Sequence, residues 1–67
     1  MDRVGIRLKR FRLTHGWSKR RTAEELGVSV PSIIRWEEGE SEPNDYNRFK
    51  IEALISSART KKADPVR

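Results

Sequence analysis

A chain of 67 residues with a formal net charge of +5 and 37% charged side chains is long enough for one small domain and too short to enclose a sizeable substrate pocket. It has no cysteine and a single histidine, which excludes disulfides and a zinc-type cluster, so the interior must rest on packing alone. No apolar run approaches the roughly 18 residues of a membrane span, and the N-terminus lacks the apolar core of a signal peptide. The expectation is a soluble, cytoplasmic protein with no metal, no cofactor and no catalysis.

Residues 3–14 read as a first helix, because Val4, Leu8 and Phe11 recur at helical spacing and Gly16 follows as a terminator. Ile6 and Leu13 lie off that stripe. His15 sits beside the terminating glycine with no partner for metal or acid–base work, which favours a capping or surface role. Residues 18–39 then read as two short helices joined by a tight turn. Ser18 can cap the first, Ala23 and Leu26 give it an apolar stripe, and Gly27 stops it with the residue that best tolerates a left-handed backbone. Ser29 can cap the second, Pro31 falls in its first turn where a missing N–H costs nothing, and Ile33 with Trp36 forms its buried face before Gly39. Two short helices in this arrangement have the form of a DNA-reading helix-turn-helix. Trp17 and Trp36 both fall at expected core positions, which favours packing over stacking on single-stranded bases.

Residues 38–45 form an acidic loop with Gly39 and Pro43, after which Asn44 or Asp45 can cap a fourth helix running to about Ala58. That helix is apolar on two sides: Tyr46, Phe49 and Ala53 share one face, and Ile51, Leu54, Ile55 and Ala58 another. One face can pack on the domain. The other needs a partner, either a further part of the core or another copy of the chain; the second is favoured in so small a protein, with Ile51, Leu54, Ile55 and Ala58 the candidates for a homodimer interface. The division expected is a domain over residues 1–58 and a basic tail over 59–67, frayed or disordered, with Pro65 inside it.

Charge is segregated along the chain. Residues 1–21 hold eight Lys or Arg against Asp2 alone, residues 22–47 hold seven acids against Arg35, and residues 48–67 are again basic. A segregated basic stretch is the footprint of a polyanion binder. Lys19, Arg20 and Arg21 sharpen this, because they occupy the first turn of a helix, where the positive end of the macrodipole disfavours each cation by about 0.3–1 kcal/mol. Arginine stands at position 21, where a capping-box acid would suit the helix. The helix start is therefore fitted to an incoming anion, with phosphate the natural candidate.

Taken in order, Val4-Gly5, Arg7-Leu8-Lys9, Phe11-Arg12, Gly16-Trp17-Ser18, Ala23-Glu24-Glu25-Leu26-Gly27-Val28-Ser29, Ile33 and Arg35-Trp36-Glu37-Glu38-Gly39 resemble the lambda-repressor-like, or Cro/XRE-type, helix-turn-helix domains. The likeness runs over residues 4–54. It implies an all-α bundle of four to five short helices whose third helix enters the major groove, a dimer on a two-fold operator, and a structural salt bridge between Arg12 and Glu37. Lys19 stands where the family often has glutamine; a lysine keeps a phosphate contact but loses the amide's two-way hydrogen bonding.

On the wheel of the recognition helix, Pro31, Ser32, Ile34 and Arg35 lie opposite Ile33 and Trp36, with Val30 at the border. Arg35 is the side chain there that can grip guanine O6 and N7, Ser32 can donate or accept, and Val30, Pro31 and Ile34 offer apolar contact suited to thymine methyl groups. The alternative for Arg35 is a surface ion pair with an acid such as Glu38. The expected function is a sequence-specific duplex-DNA-binding regulator, a repressor of a prokaryotic, phage or plasmid operon, with Ser18, Lys19, Arg20 and Arg21 on phosphate. The alternatives are a protein-interaction module such as an antitoxin or adaptor, and a DNA-architectural or recombination accessory factor.

Overall fold

Among the described residues, four helices follow from the punctuation of the sequence: α1 (Val4–Thr14), α2 (Lys19–Leu26), α3 (Val30–Glu38) and α4 (Asp45–Ala63). The structure, a computed structural model, describes residues 3–63, with side chains described through residue 58. No strand is present among the described residues.

The caps are those the sequence offers. Ser18 Oγ accepts the Arg21 N–H at 2.9 Å, Ser29 Oγ accepts the Ser32 N–H at 3.3 Å, and Asn44 Oδ1 accepts the Asn47 N–H at 2.8 Å. At the far end of α2, Gly27 takes φ 70° and ψ 35°, a left-handed conformation that an L side chain adopts only with strain. Its N–H donates to the Glu24 carbonyl and that of Val28 to the Ala23 carbonyl, the paired bonds of a Schellman ending. Lys50 on α4 donates to the Leu26 carbonyl, so another orphan acceptor of α2 is satisfied from across the fold.

Val4, Leu8, Ala23, Leu26, Ile33, Trp36 and Ile51 make one buried cluster, with Val28, Val30, Leu54 and Ile55 packed on its margin. Each large aliphatic side chain buried in this way stabilises the fold by about 1.5–3 kcal/mol before entropy is counted. α1 lies across both α3 and α4, and α2 contacts both as well. Gly5 lets α1 lie directly against the backbone of α3, because a Cβ there would collide with the carbonyl group of Trp36.

Two expectations about α4 are corrected. The helix does not end near Ala58 but continues to Ala63, since no glycine or proline intervenes between them. The tail expected to fray from Arg59 thus lies partly in α4, and residues 64–67 fall outside the described residues. Ile51, named as an interface candidate, is completely buried in the chain's own core, and Leu54 and Ile55 pack against the same cluster. The domain's own core takes that face. The apolar face left outward is the other one: Tyr46 is 67% and Phe49 69% exposed.

Candidate nucleic-acid interface

The start of α2 and the outer face of α3 are the two places where sequence reasoning puts recognition chemistry. In α2, Ser18 Oγ takes the Arg21 amide and the Ser18 carbonyl takes the Thr22 amide at 3.0 Å. The amides of Lys19 and Arg20 have no acceptor within the helix, so they remain available to an anion. Lys19, at the first helical position, is exposed and makes no ion pair among the described residues. Arg20 and Arg21 are each paired with an acid one turn on, Arg20 with Glu24 at 3.6 Å and Arg21 with Glu25 at 3.7 Å. Such exposed pairs contribute about 0–1 kcal/mol and are readily exchanged for a phosphate.

The three cations do not point alike. The Arg21 guanidinium lies 4.3 Å from the centre of the Trp17 ring. Together with His15, Trp17 and Glu25 it lines an open groove whose far wall is Leu54, Ser57 and Ala58 of α4, with no residue of α3. Trp17 is accordingly half-buried rather than a core residue, and Phe11 meets its edge at 5.2 Å. Sequence reasoning missed this cradle, although a Trp-x-x-x-Arg spacing across a helix start was the signal for it. His15 is the capping residue of α1 and packs against the Phe11 ring at 4.4 Å.

α3 is held at both ends. Ser29 caps its start, while Pro31 at the second helical position removes one amide that would otherwise face an anion, leaving fewer donors for phosphate than α2 offers. At its end, Arg12 Nε donates to Glu37 Oε2 at 2.7 Å and Arg12 Nη2 to Glu37 Oε1 at 3.0 Å, with both side chains buried. Arg12 Nη1 also donates to the Trp17 carbonyl at 3.1 Å, so one guanidinium ties the end of α3 to the residue preceding the α2 cap. The relative setting of the two helices is thereby fixed through α1. Among the described residues no buried side-chain polar atom lacks a partner.

On the outer face of α3, Pro31 and Arg35 are exposed, and Val30, Ser32 and Ile34 are half-buried. Arg35 makes no ion pair with Glu38 or any other described acid, so the alternative of a surface salt bridge is not what the structure holds. Ser32 is not solitary: its hydroxyl oxygen lies 3.0 Å from that of Ser29. Its place at the third helical position after a serine cap was a legible signal for that contact.

Away from this face, Arg3 pairs with Glu42 at 3.3 Å and donates to the Gly39 carbonyl, closing the acidic loop onto α1. Arg7 grips Glu52 with two hydrogen bonds of 2.6 and 2.7 Å. These bonds hold the Glu52 carboxyl below the usual carboxylate range, with the charges of Arg7 and Arg48 acting in the same direction and partial burial against it.

A family model described as helix-turn-helix matches residues 8–55, the stretch that contains both helix starts and the Arg12–Glu37 pair. No curated protein and no solved structure matches the chain. No helix among the described residues is long and apolar enough to cross a membrane.

Proposed function

Since the chain belongs to the lambda-repressor-like helix-turn-helix family, a DNA-binding family, we propose that it is a sequence-specific regulator of transcription that binds duplex DNA, represses a prokaryotic, phage or plasmid operon and works by binding rather than catalysis. The observation that carries this is Arg35: an exposed arginine on the outer face of α3 that pairs with no acid among the described residues. Its planar fork suits guanine O6 and N7, and Ser32, Ile34, Val30 and Pro31 surround it with one polar and three apolar contacts for neighbouring bases. Phosphate falls to the start of α2, where Ser18, Lys19 and Arg20 combine free amides with cations, and to Arg21 once it leaves Trp17.

The same reading supports a cytoplasmic homodimer, since one short recognition helix covers few base pairs and a two-fold pair doubles the contact. Tyr46, Phe49 and Ala53 supply the exposed apolar face for it. Selection from a pool of random duplex DNA tests the proposal. An enriched motif with a guanine lost in the Arg35→Ala selection supports it, and the absence of any enriched sequence overturns it.

A further inference from the structure

The base contact assigned to Ser32 rests on the DNA-reading proposal, and the geometry around Ser29 constrains it further. Ser29 Oγ and Ser32 Oγ are 3.0 Å apart, and Ser29 Oγ also accepts the Ser32 backbone N–H at 3.3 Å. Pro31 between them has no N–H to compete for the Ser29 oxygen. Two hydroxyls in contact use one of their two hydrogens on each other, which leaves a single O–H for any outside group.

Two arrangements meet that condition. When Ser29 donates to Ser32, the Ser32 hydrogen faces outward, and the bonds run head to tail from the Ser32 N–H through Ser29 Oγ–H to Ser32 Oγ–H. When Ser32 donates to Ser29, the Ser29 oxygen accepts two bonds and Ser32 meets the outside only as an acceptor. The head-to-tail order is the stronger, because a hydroxyl that accepts a hydrogen bond is polarised into a better donor. It also starts from an amide that already donates into Ser29.

We propose that Ser29 is a specificity-determining positioning residue: its hydroxyl fixes Ser32 as a hydrogen-bond donor. A lone serine pairs with donors and acceptors alike. Held in this way, Ser32 presents its hydrogen to a base offering an acceptor, namely guanine N7 or O6, adenine N7 or thymine O4.

The test uses the full-length protein, a duplex it selects from random DNA, and all single-base variants of that duplex. Ser32→Ala should lower the preference at one base position about 2–10-fold, the worth of one net hydrogen bond. Ser29→Asn should keep that preference, because the amide offers both an acceptor for the Ser32 N–H and a donor for its hydroxyl. Ser29→Asp caps the helix equally well but only accepts, so it draws the Ser32 hydrogen inward. The preference at that same position should fall as far as in Ser32→Ala, while the added negative charge weakens all duplexes alike. Circular dichroism checks that each variant folds. Should Ser29→Asp not fold, Ser29→Gly, a cap only slightly weaker than serine, is read in its place and must also relax the preference. Full wild-type preference in the Ser29 variant overturns the proposal and leaves the Ser32 contact standing. Unchanged preference at every position in Ser32→Ala removes the base contact and the proposal with it.

Discussion

Arg12 and Glu37 face each other as fork and carboxylate across the interior, at 2.7 and 3.0 Å, with side chains 9% and 3% exposed. Removing one partner strands a buried charge, which costs about 3–5 kcal/mol, a large part of the stability of so small a domain. Arg12→Ala and Glu37→Ala should each unfold the protein at far lower urea concentration. The double substitution Arg12→Met with Glu37→Leu should fall well short of the summed losses, since it removes both charges together. Additive losses in a double-mutant cycle would show that the two side chains act independently.

Gly5 sets the spacing between α1 and α3. A Cβ at this position would come within 2.7 Å of the Trp36 carbonyl carbon and closer still to its oxygen, and backbone cannot swing aside as a side chain can. Alanine is the better helix former by up to about 1 kcal/mol, but overpacking of this kind costs about 1–3 kcal/mol or more. Gly5→Ala should therefore lower the Tm, and a Tm equal to or above wild type would show that α1 can shift.

Local rules account for what was legible in the sequence. Ser18, Ser29, Asn44 and Gly27 act within one turn of themselves, so the ends of α2, the starts of α3 and α4, and the buried set of Leu8, Leu26, Ile33 and Trp36 could be read from spacing alone. The Arg12–Glu37 pairing lies 25 residues apart and was reachable only through the family resemblance. The face of α4 that turns inward could not be read, because the wheel shows two apolar faces and says nothing of which one α1 and α2 cover. Ile51 fills the core and Phe49 stays outside, a choice made by the neighbouring helices. In the site, the cationic start of α2 was visible, whereas the turn of Arg21 toward Trp17 depended on where α1 delivers the chain.

Glu52 should give the fold a small acid-sensitive increment. Its folded pKa is depressed by the Arg7 hydrogen bonds, so the unfolded chain takes up the proton first as pH falls. The stabilisation is complete above the unfolded value of about 4.3 and disappears as pH drops through the lower folded value. Glu52→Gln should melt below wild type at pH 7, with the gap closing toward pH 3 and narrowing in high salt, because both side chains are about two-fifths exposed. A gap in Tm independent of pH would assign the effect of Glu52 to packing.

Arg35 and Lys19 should separate specificity from affinity. Arg35→Ala should relax one base position by about 1–3 kcal/mol with non-specific binding largely intact. Lys19→Ala should weaken all duplexes alike and reduce the slope of log affinity against log salt by about 0.9. Arg21→Ala should change the slope less than Lys19→Ala, since its guanidinium starts on Trp17 and beside Glu25. Equal losses on selected and random DNA for Arg35→Ala would make that arginine a phosphate clamp.

The faces of α4 predict opposite outcomes for two charge insertions. Ile51 is wholly enclosed by the core, so Ile51→Glu should abolish helicity at any protein concentration. Phe49 is 69% exposed beside Tyr46, so Phe49→Glu should leave the circular dichroism spectrum and the urea midpoint of the monomer unchanged. If the outward face joins two copies, the same substitution should shift sedimentation from dimer to monomer and weaken binding to a two-fold site whose half-sites lie about 34 Å apart. The loss should be far smaller on a duplex holding one half-site, where no second copy contributes. A dimer that survives Phe49→Glu and Tyr46→Glu together would move the interface to the groove edge at Leu54 and Ala58, and a wild-type protein that sediments as a monomer and selects a single asymmetric site would end the dimer proposal.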